Sequence, residues 1–265
     1  MPQFVVAGDP MQLQPVFKRR NIPEDQSGLV CGWFETNIYS HIGIESFSSA
    51  QRFAQAGTLV FLDEQFRMAG AIREAVSRTF YGGQLLGSAA KLLPEWPTAS
   101  GIPNGALVAI APEKCAPLPL TSRVRGVVGR NTNAANIDIV LALVKRMVSC
   151  ARSQPGRRFS ILVTTPFRNQ AKEYEKRLTA MAKPPNITLC ASTVHRCQGA
   201  EADVVIFDLV NPGSWFVRKP ESISLWCVAC SRAKSQLFLV GSEQAMKTGS
   251  FSRLMTQDLP FIGLA

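Results

Sequence analysis

From residue 133 onward, apolar and polar positions fall into a regular alternation of two kinds of segment. Ala134 to Arg152 places apolar residues at Ile137, Val140, Leu141, Val144 and Val148, the spacing of a helix that buries one stripe. Phe159 to Thr164 is instead a short, largely apolar run, which predicts a strand buried on both faces. Asn169 to Met181 predicts a charged helix, Ile187 to Ala191 a strand, and Asp203 to Val210 a second apolar strand. A helix over 222–233 and a strand over Gln236 to Val240 follow. Apolar strands alternating with helices predict an α/β fold, a parallel sheet covered by helices on both faces. Such sheets bind ligands at the carboxyl ends of their strands, which directs attention to the polar residues after each one.

Before residue 133 the pattern is looser. Pro2 to Ala7 reads as a strand entering the Gly8-Asp9-Pro10 turn. It opens almost at Met1, so the expectation is a piece of a longer protein. Residues 34–57 predict short helices. Gly70 to Phe80 predicts a helix with Ile72, Val76 and Phe80 on its inner face, stopped at Tyr81-Gly82-Gly83. Residues 87–105, rich in Pro, Gly and Ser, predict a surface loop, and Ala106 to Ala111 a short strand. No internal repeat or low-complexity tract interrupts the chain.

Composition narrows the function classes. Hydrophobic residues form 46% of the 265, enough for a core, which argues against disorder. No apolar run is long enough to span a membrane, and the N-terminus lacks signal-peptide character, so the expected location is cytoplasmic. Lys and Arg number 29 against 19 Asp and Glu, a net charge of +10 that favours a polyanionic partner. Nucleic acid suits this better than an anionic membrane surface, because no long basic amphipathic helix is present. The seven cysteines form no even framework and read as reduced thiols. Cys227 and Cys230 make a C-x-x-C, with Cys190, His195 and Cys197 nearby in sequence. A closed zinc site needs four ligands, however, and the pair sits in an apolar run, so buried small hydrophobes are the simpler reading and no metal is assigned.

Five polar segments carry candidate chemistry. They are Gly8–Leu13, Glu64–Met68, Thr164–Gln170, Ser192–Glu201 and Val228–Lys234. Each alone fits a salt-bridged or capping side chain. Together and in this order they resemble the later motifs of superfamily 1 helicases, in the branch of the nonsense-mediated-decay helicase. Gly8–Val16 is similar to G-D-x-x-Q-L-x-P-V, motif III, and Leu62–Met68 to L-x-x-Q-Y-R-M, motif IV. Phe80–Leu85 follows as F-Y-G-G-x-L, and Thr165–Gln170 resembles T-P-Y-x-x-Q. Thr193–Ile206 resembles motif V, T-V-H-x-F-Q-G-x-E-x-D-V-V-I, and Val228–Lys234 resembles motif VI, V-A-x-T-R-A-K.

The resemblance implies a RecA-like parallel sheet. Residues 1–16 are then the last strand and motif III of a first RecA-like domain, 17–250 a second one, and 251–265 a C-terminal tail. It further implies that Arg67 and Arg232 are arginine fingers for the γ-phosphate of ATP, the planar guanidinium being suited to paired phosphate contacts. Gln12 matches the glutamine that senses that phosphate. Glu201 matches an acceptor for a nucleotide ribose hydroxyl, with Gln65 and Gly199 near the nucleotide. Thr165, Pro166, Thr193 and His195 fall where the family meets a single strand, although His195 equally suits a core or interdomain position. The implied cofactor is ATP with Mg²⁺, bound mainly by an upstream RecA-like domain. The implied partners are that domain and single-stranded nucleic acid, DNA ahead of RNA.

Departures are small in kind. Phe66 and Phe167 stand for tyrosines, Cys197 for a phenylalanine and Ser231 for a threonine. Leu59–Glu64 mimics a Walker B strand, but Gln-Phe-Arg-Met follows at once and assigns it to motif IV. Gly126–Gly129 lacks the G-K-[ST] ending of a phosphate loop, and no such loop occurs in the sequence. The expectation is therefore a helicase motor part, inactive as an ATPase alone. The alternative is a stand-alone nucleic-acid-binding or regulatory module of the same fold.

Overall fold

The computed structural model describes residues 5–13, 38–87, 96–97, 100–115, 131–211, 213–219 and 222–264. The chain divides into two compact units at Leu62/Asp63.

In the first unit, α1 is Ile38–His41 and α2 is Phe47–Gln55. A reciprocal capping box starts α2: Ser46 Oγ accepts from Ser49 N at 3.1 Å, and Ser49 Oγ accepts from Ser46 N at 2.9 Å. The strand expected over 2–7 is not formed over residues 5–7, and residues 2–4 lie outside the described ones. Val5 is 96% exposed and has no ladder partner among the described residues, which an isolated strand cannot do without. The Asp9 turn is formed. Asp9 Oδ1 accepts from Met11 N at 2.9 Å, and the Gln12 backbone N–H bonds Asp9 O at 3.1 Å. Gly8 packs closely against Tyr39, whose Oη would lie 2.8 Å from a Cβ placed there. The last three residues of the motif III resemblance, 14–16, are outside the described residues, as are 126–129.

The second unit carries the sheet. Its elements are α3 (Gly70–Phe80), β1 (Leu107–Ile110), α4 (Ala134–Arg152), β2 (Phe159–Thr165) and α5 (Arg168–Thr179). Then come β3 (Ile187–Thr193), a 3₁₀ turn (Val194–Cys197), β4 (Ala202–Asp208), α6 (Trp215–Arg218) and α7 (Ile223–Cys230). β5 (Ala233–Val240), α8 (Glu243–Thr248), α9 (Ser252–Thr256) and β6 (Phe261–Ile262) complete it. Six parallel strands stand in the order β3-β2-β4-β5-β1-β6. The α/β reading therefore holds.

Strand alternation sends side chains to two cores. On one face Ile161, Val163, Val204, Ile206 and Phe238 pack with Val140, Val144 and Met147 of α4 and with Tyr174 and Leu178 of α5. On the other, Phe207 meets Trp226 of α7 edge-on at 5.1 Å and Phe216 of α6 at 5.7 Å. Truncating an aromatic in such a cluster costs roughly 3–5 kcal/mol.

Three boundaries differ from expectation. β4 stops at Asp208, not at Val210, because Asp208 Oδ1 accepts from Val210 N at 2.9 Å and turns the chain. The helix expected over 222–233 ends at Cys230, since Ala233 pairs with Ala202 as the start of β5. The stretch expected as a tail contributes α9 and β6, and Phe261 pairs with Ala109 of β1.

Candidate functional sites at the two edges of the sheet

The first site lies at the amino ends of β4 and β5, not at the carboxyl ends where the strand pattern pointed. Pairing of Ala202 with Ala233 sets their preceding residues, Glu201 and Arg232, side by side, and Ala202 N bonds Arg232 O at 3.1 Å. The Gln65–Met68 segment docks on the same edge through Ala69 N and Lys234 O, 2.8 Å apart. Gln65 shapes that segment. Its Oε1 accepts from the backbone N–H of Arg67 at 2.9 Å and of Met68 at 2.7 Å, and its Nε2 donates to Met68 O at 3.1 Å. The side chain thought to lie near the nucleotide is thus occupied in holding Arg67.

Arg67 Nε donates to Glu201 Oε2 at 3.0 Å, and its Nη1 to Ser231 O at 3.3 Å. Lys234 Nζ pairs with the other Glu201 oxygen. The hydrogen bond from Lys234, and then that from Arg67, hold the Glu201 carboxyl below its usual range. Arg232 is only 2% exposed. Its Nε donates to Val228 O at 2.9 Å, Nη2 to Ser231 Oγ at 2.7 Å and Nη1 to Ala200 O at 3.4 Å. Burial, and then repulsion from Arg67, lower its affinity for its proton. A guanidinium nonetheless stays charged at neutral pH. Gly199 is exposed at φ +83°, in the left-handed region, and turns the chain toward Glu201. Gln12 belongs to the first unit, where its Nε2 donates to Asp9 Oδ2 at 3.0 Å.

The second site is a groove of 460 Å³ at the carboxyl ends of β2 and β3. Pro166, Thr193 and His195 line it together with Arg168, Lys172 and Arg196. His195 is exposed and so is no core histidine. Thr165 does not join them: it is fully buried, and its Oγ1 lies 3.4 Å from Phe167 N. Arg168, Lys172 and Arg196 escaped the motif reading. Their signal was the i, i+4 spacing of Arg168 and Lys172 and the adjacency of Arg196 to His195.

Residues 194–201 connect the two sites. They leave the carboxyl end of β3 and return at the amino end of β4, passing β2, which stands between. Cys197 is buried beneath this crossover, its Sγ donating to Val194 O at 3.2 Å, and burial pushes its thiol pKa up. Cys227 and Cys230 are likewise fully buried in α7, with Cys227 Sγ 3.2 Å from Tyr81 Oη.

The sequence profile of the AAA domain family AAA_12 matches residues 46–244, three-quarters of the chain. The chain belongs to this family. Both edge sites of this AAA domain lie inside the matched span, whereas Gln12 lies before it. The domain is superfamily 1 helicase-like. It is 26% identical over 264 residues to the DNA polymerase alpha-associated DNA helicase A of Saccharomyces cerevisiae, covering 92% of this chain and 35% of that protein. The chain thus spans about a third of that relative's length. A solved structure, the C-terminal domain of a possible DNA helicase from Lactobacillus plantarum, aligns at 14% identity and a TM-score of 0.40, over 76% of this chain and 99% of that one. Among the described residues no helix is long and apolar enough to cross a membrane.

Proposed function

We propose that this AAA domain is the C-terminal motor domain of an ATP-dependent helicase or translocase. In this reading it presents Arg67 and Arg232 to the γ-phosphate of an ATP held mainly by another RecA-like domain of the parent protein. It grips a single strand in the groove at the opposite edge. The observation that carries the reading is the meeting of Arg67 and Arg232, far apart in sequence, around Ser231 and Glu201.

The residues present fit the phosphate end of a nucleotide. The Arg67 guanidinium and the Lys234 ammonium share the Glu201 carboxylate, the Arg232 guanidinium is bonded to the neighbouring Ala200 O and Ser231 Oγ, and among the described residues no acidic cluster stands ready for a metal. ATP with Mg²⁺, when bound, supplies the anhydride whose cleavage drives such motors. Arg67 exchanges Glu201 for a phosphate oxygen, one charge-assisted pair for another. Lys234 keeps Glu201 ionised, so that the carboxylate is ready to accept from a ribose hydroxyl. Arg232 leaves its carbonyl partners to reach the same phosphate. Gln12 is the γ-phosphate sensor in this reading, by the motif it resembles. In the groove, Arg168, Lys172 and Arg196 pair with phosphates without reading sequence.

A second reading, a binding or regulatory module without ATPase activity, is favoured by the burial of Arg232 and by its three bonds to its own chain. One experiment separates the two. ATPase is assayed for this chain, for the separately expressed upstream domain, and for the mixture, with and without single strands. Turnover confined to the mixture and stimulated by the strand supports the motor. Strand binding with no turnover in any combination leaves the module.

A further inference from the structure

α5 carries two of the cations that line the strand groove, Arg168 and Lys172, yet it starts without a side-chain cap. The first N–H groups of a helix have no acceptor within it, so an uncapped first turn frays easily. Gln170 fastens that turn from its inner side. It is fully buried, whereas Arg168 and Lys172, two positions before and after it, are exposed on the outer side of the helix. Its Oε1 accepts from Asn133 N at 2.9 Å, and its Nε2 donates to Asn133 O at 3.2 Å. Asn133 is itself the N-cap of α4, its Oδ1 accepting from Asn136 N at 3.1 Å. The first turn of α5 is thus clamped to the start of the 19-residue α4.

A side-chain amide can sit either way round, and Asp208 decides which. Asp208 ends β4 and is fully buried. It receives four donors: Gln170 Nε2 at 2.7 Å, Tyr174 Oη at 2.7 Å, Asn136 Nδ2 at 2.6 Å and Val210 N at 2.9 Å. These donors suit the ionised carboxylate, even though burial pushes its pKa up. An ionised carboxylate only accepts, so the Gln170 nitrogen turns toward Asp208 and its oxygen is left for Asn133 N. A buried charge contributes little to stability that apolar packing could not match. What it supplies here is a fixed orientation where α4, α5 and β4 meet. The residue two positions on points the same way. Val210, although β-branched, is held at φ +62° by the Asp208 bond and by Asn133 Nδ2, which donates to Val210 O at 2.9 Å. The end of β4 keeps a strained geometry instead of relaxing.

We propose that Asp208 is a positioning residue for the strand groove: through Gln170 it fixes the first turn of α5, and with it the placement of Arg168 and Lys172 beside Pro166 and Thr193. The proposal rests on the reading of that groove as the grip on a single strand. Asp208 itself touches no strand, because it has no exposure.

The test is strand binding by this chain, measured by fluorescence anisotropy with labelled single strands of DNA and of RNA over a range of salt. Gln170→Met keeps the length of the side chain and removes the clamp. Asp208→Asn sets an amide nitrogen among donors and leaves Gln170 free to turn. Each should weaken binding about three- to tenfold and flatten the slope of log K against log salt, with cooperative unfolding retained. Gln170→Met decides the matter if Asp208→Asn does not fold. Tyr174→Phe takes a donor from the same carboxylate without touching the clamp on Asn133, and should bind as wild type whatever its loss of Tm. In a chain carrying Arg168→Ala and Lys172→Ala, Gln170→Met should add nothing, since the cations it places are gone. Wild-type binding by a folded Gln170→Met chain overturns the proposal. So does equal weakening by Tyr174→Phe, or a Gln170→Met effect undiminished without Arg168 and Lys172. Wild-type binding by the Arg168→Ala, Lys172→Ala chain is a separate result, which removes the groove reading and the proposal with it.

Discussion

The two edges of this sheet handle positive charge in opposite ways. At the amino edge Arg67, Lys234 and Arg232 are all engaged: two share Glu201, and the third is buried on carbonyls and a hydroxyl. At the carboxyl edge Arg168, Lys172 and Arg196 stand exposed around a groove, with no ion-pair partner among the described residues. The first arrangement fixes direction and distance before any ligand arrives, and a ligand must displace a protein partner. The second fixes little beyond charge, which suits a polyanion bound in many registers.

Substitutions can break or sharpen this contrast. The largest effect is expected for Arg232→Ala in the parent protein, a fall in ATP hydrolysis of about 10³-fold or more with ATP affinity held within about tenfold. Arg168→Ala should leave strand-saturated hydrolysis close to wild type. Steady-state turnover and nucleotide titration measure both, and near-normal turnover by Arg232→Ala removes it from the site. Next in size is strand binding. Replacing Arg168, Lys172 and Arg196 together by alanine should flatten the slope of log K against log salt by about two units. An unchanged slope would deny the groove its phosphates.

Stability gives a smaller difference. Arg232→Ala should cost about 1–3 kcal/mol, because the carbonyls it satisfies lose their donor in a buried place. Arg168→Ala should stay within about 0.5 kcal/mol, as exposed substitutions do. Urea unfolding of the two variants compares them directly, and equal midpoints would mean that the internal bonds of Arg232 contribute nothing net.

The smallest effect concerns Glu201. Lys234 and Arg67 depress its folded pKa below the ordinary 4.5. Its ionised form therefore stabilises the fold above that value, and the contribution fades as pH falls through the lower folded value. Arg67 and Glu201 are 38% and 42% exposed, which confines the contribution to about 1 kcal/mol or less. Wild type should exceed Glu201→Gln by that margin at pH 7 and lose the advantage in strong acid. A margin that grows on acidification would reverse the assignment.

Much of the sheet was legible from the apolar pattern, because a strand buried on both faces and a long striped helix both leave clear periodicities. The boundaries of α4 fell at Ala134 and Arg152 as read, and Ile72, Val76 and Phe80 of α3 are buried as their spacing required. β6 was not legible, since two residues carry no period and only the ladder with β1 makes Phe261–Ile262 a strand. The motif resemblance singles out Arg67, Glu201 and Arg232, which the fold gathers at the amino ends of β4 and β5, whereas the strand pattern points to the carboxyl ends. Rules about post-strand loops do not cover a residue that precedes its strand. Thr165 shows the opposite failure. It is the last residue of β2, a strand covered on both faces, and is fully buried with its Oγ1 accepting from Phe167 N.

The crossover of residues 194–201 has a mechanical consequence. Thr193 and His195 are in the groove wall at one end, and Glu201 holds Arg67 at the other. Eight residues reach at most about 30 Å when fully drawn out, and a 3₁₀ turn already shortens this length. The segment is thus a short tether, with Cys197 buried midway along it. Its most compliant joint is Gly199, the residue without a Cβ at φ +83°. Covalent continuity over eight residues thus ties the groove wall to the residue that holds Arg67, with Gly199 lying between them.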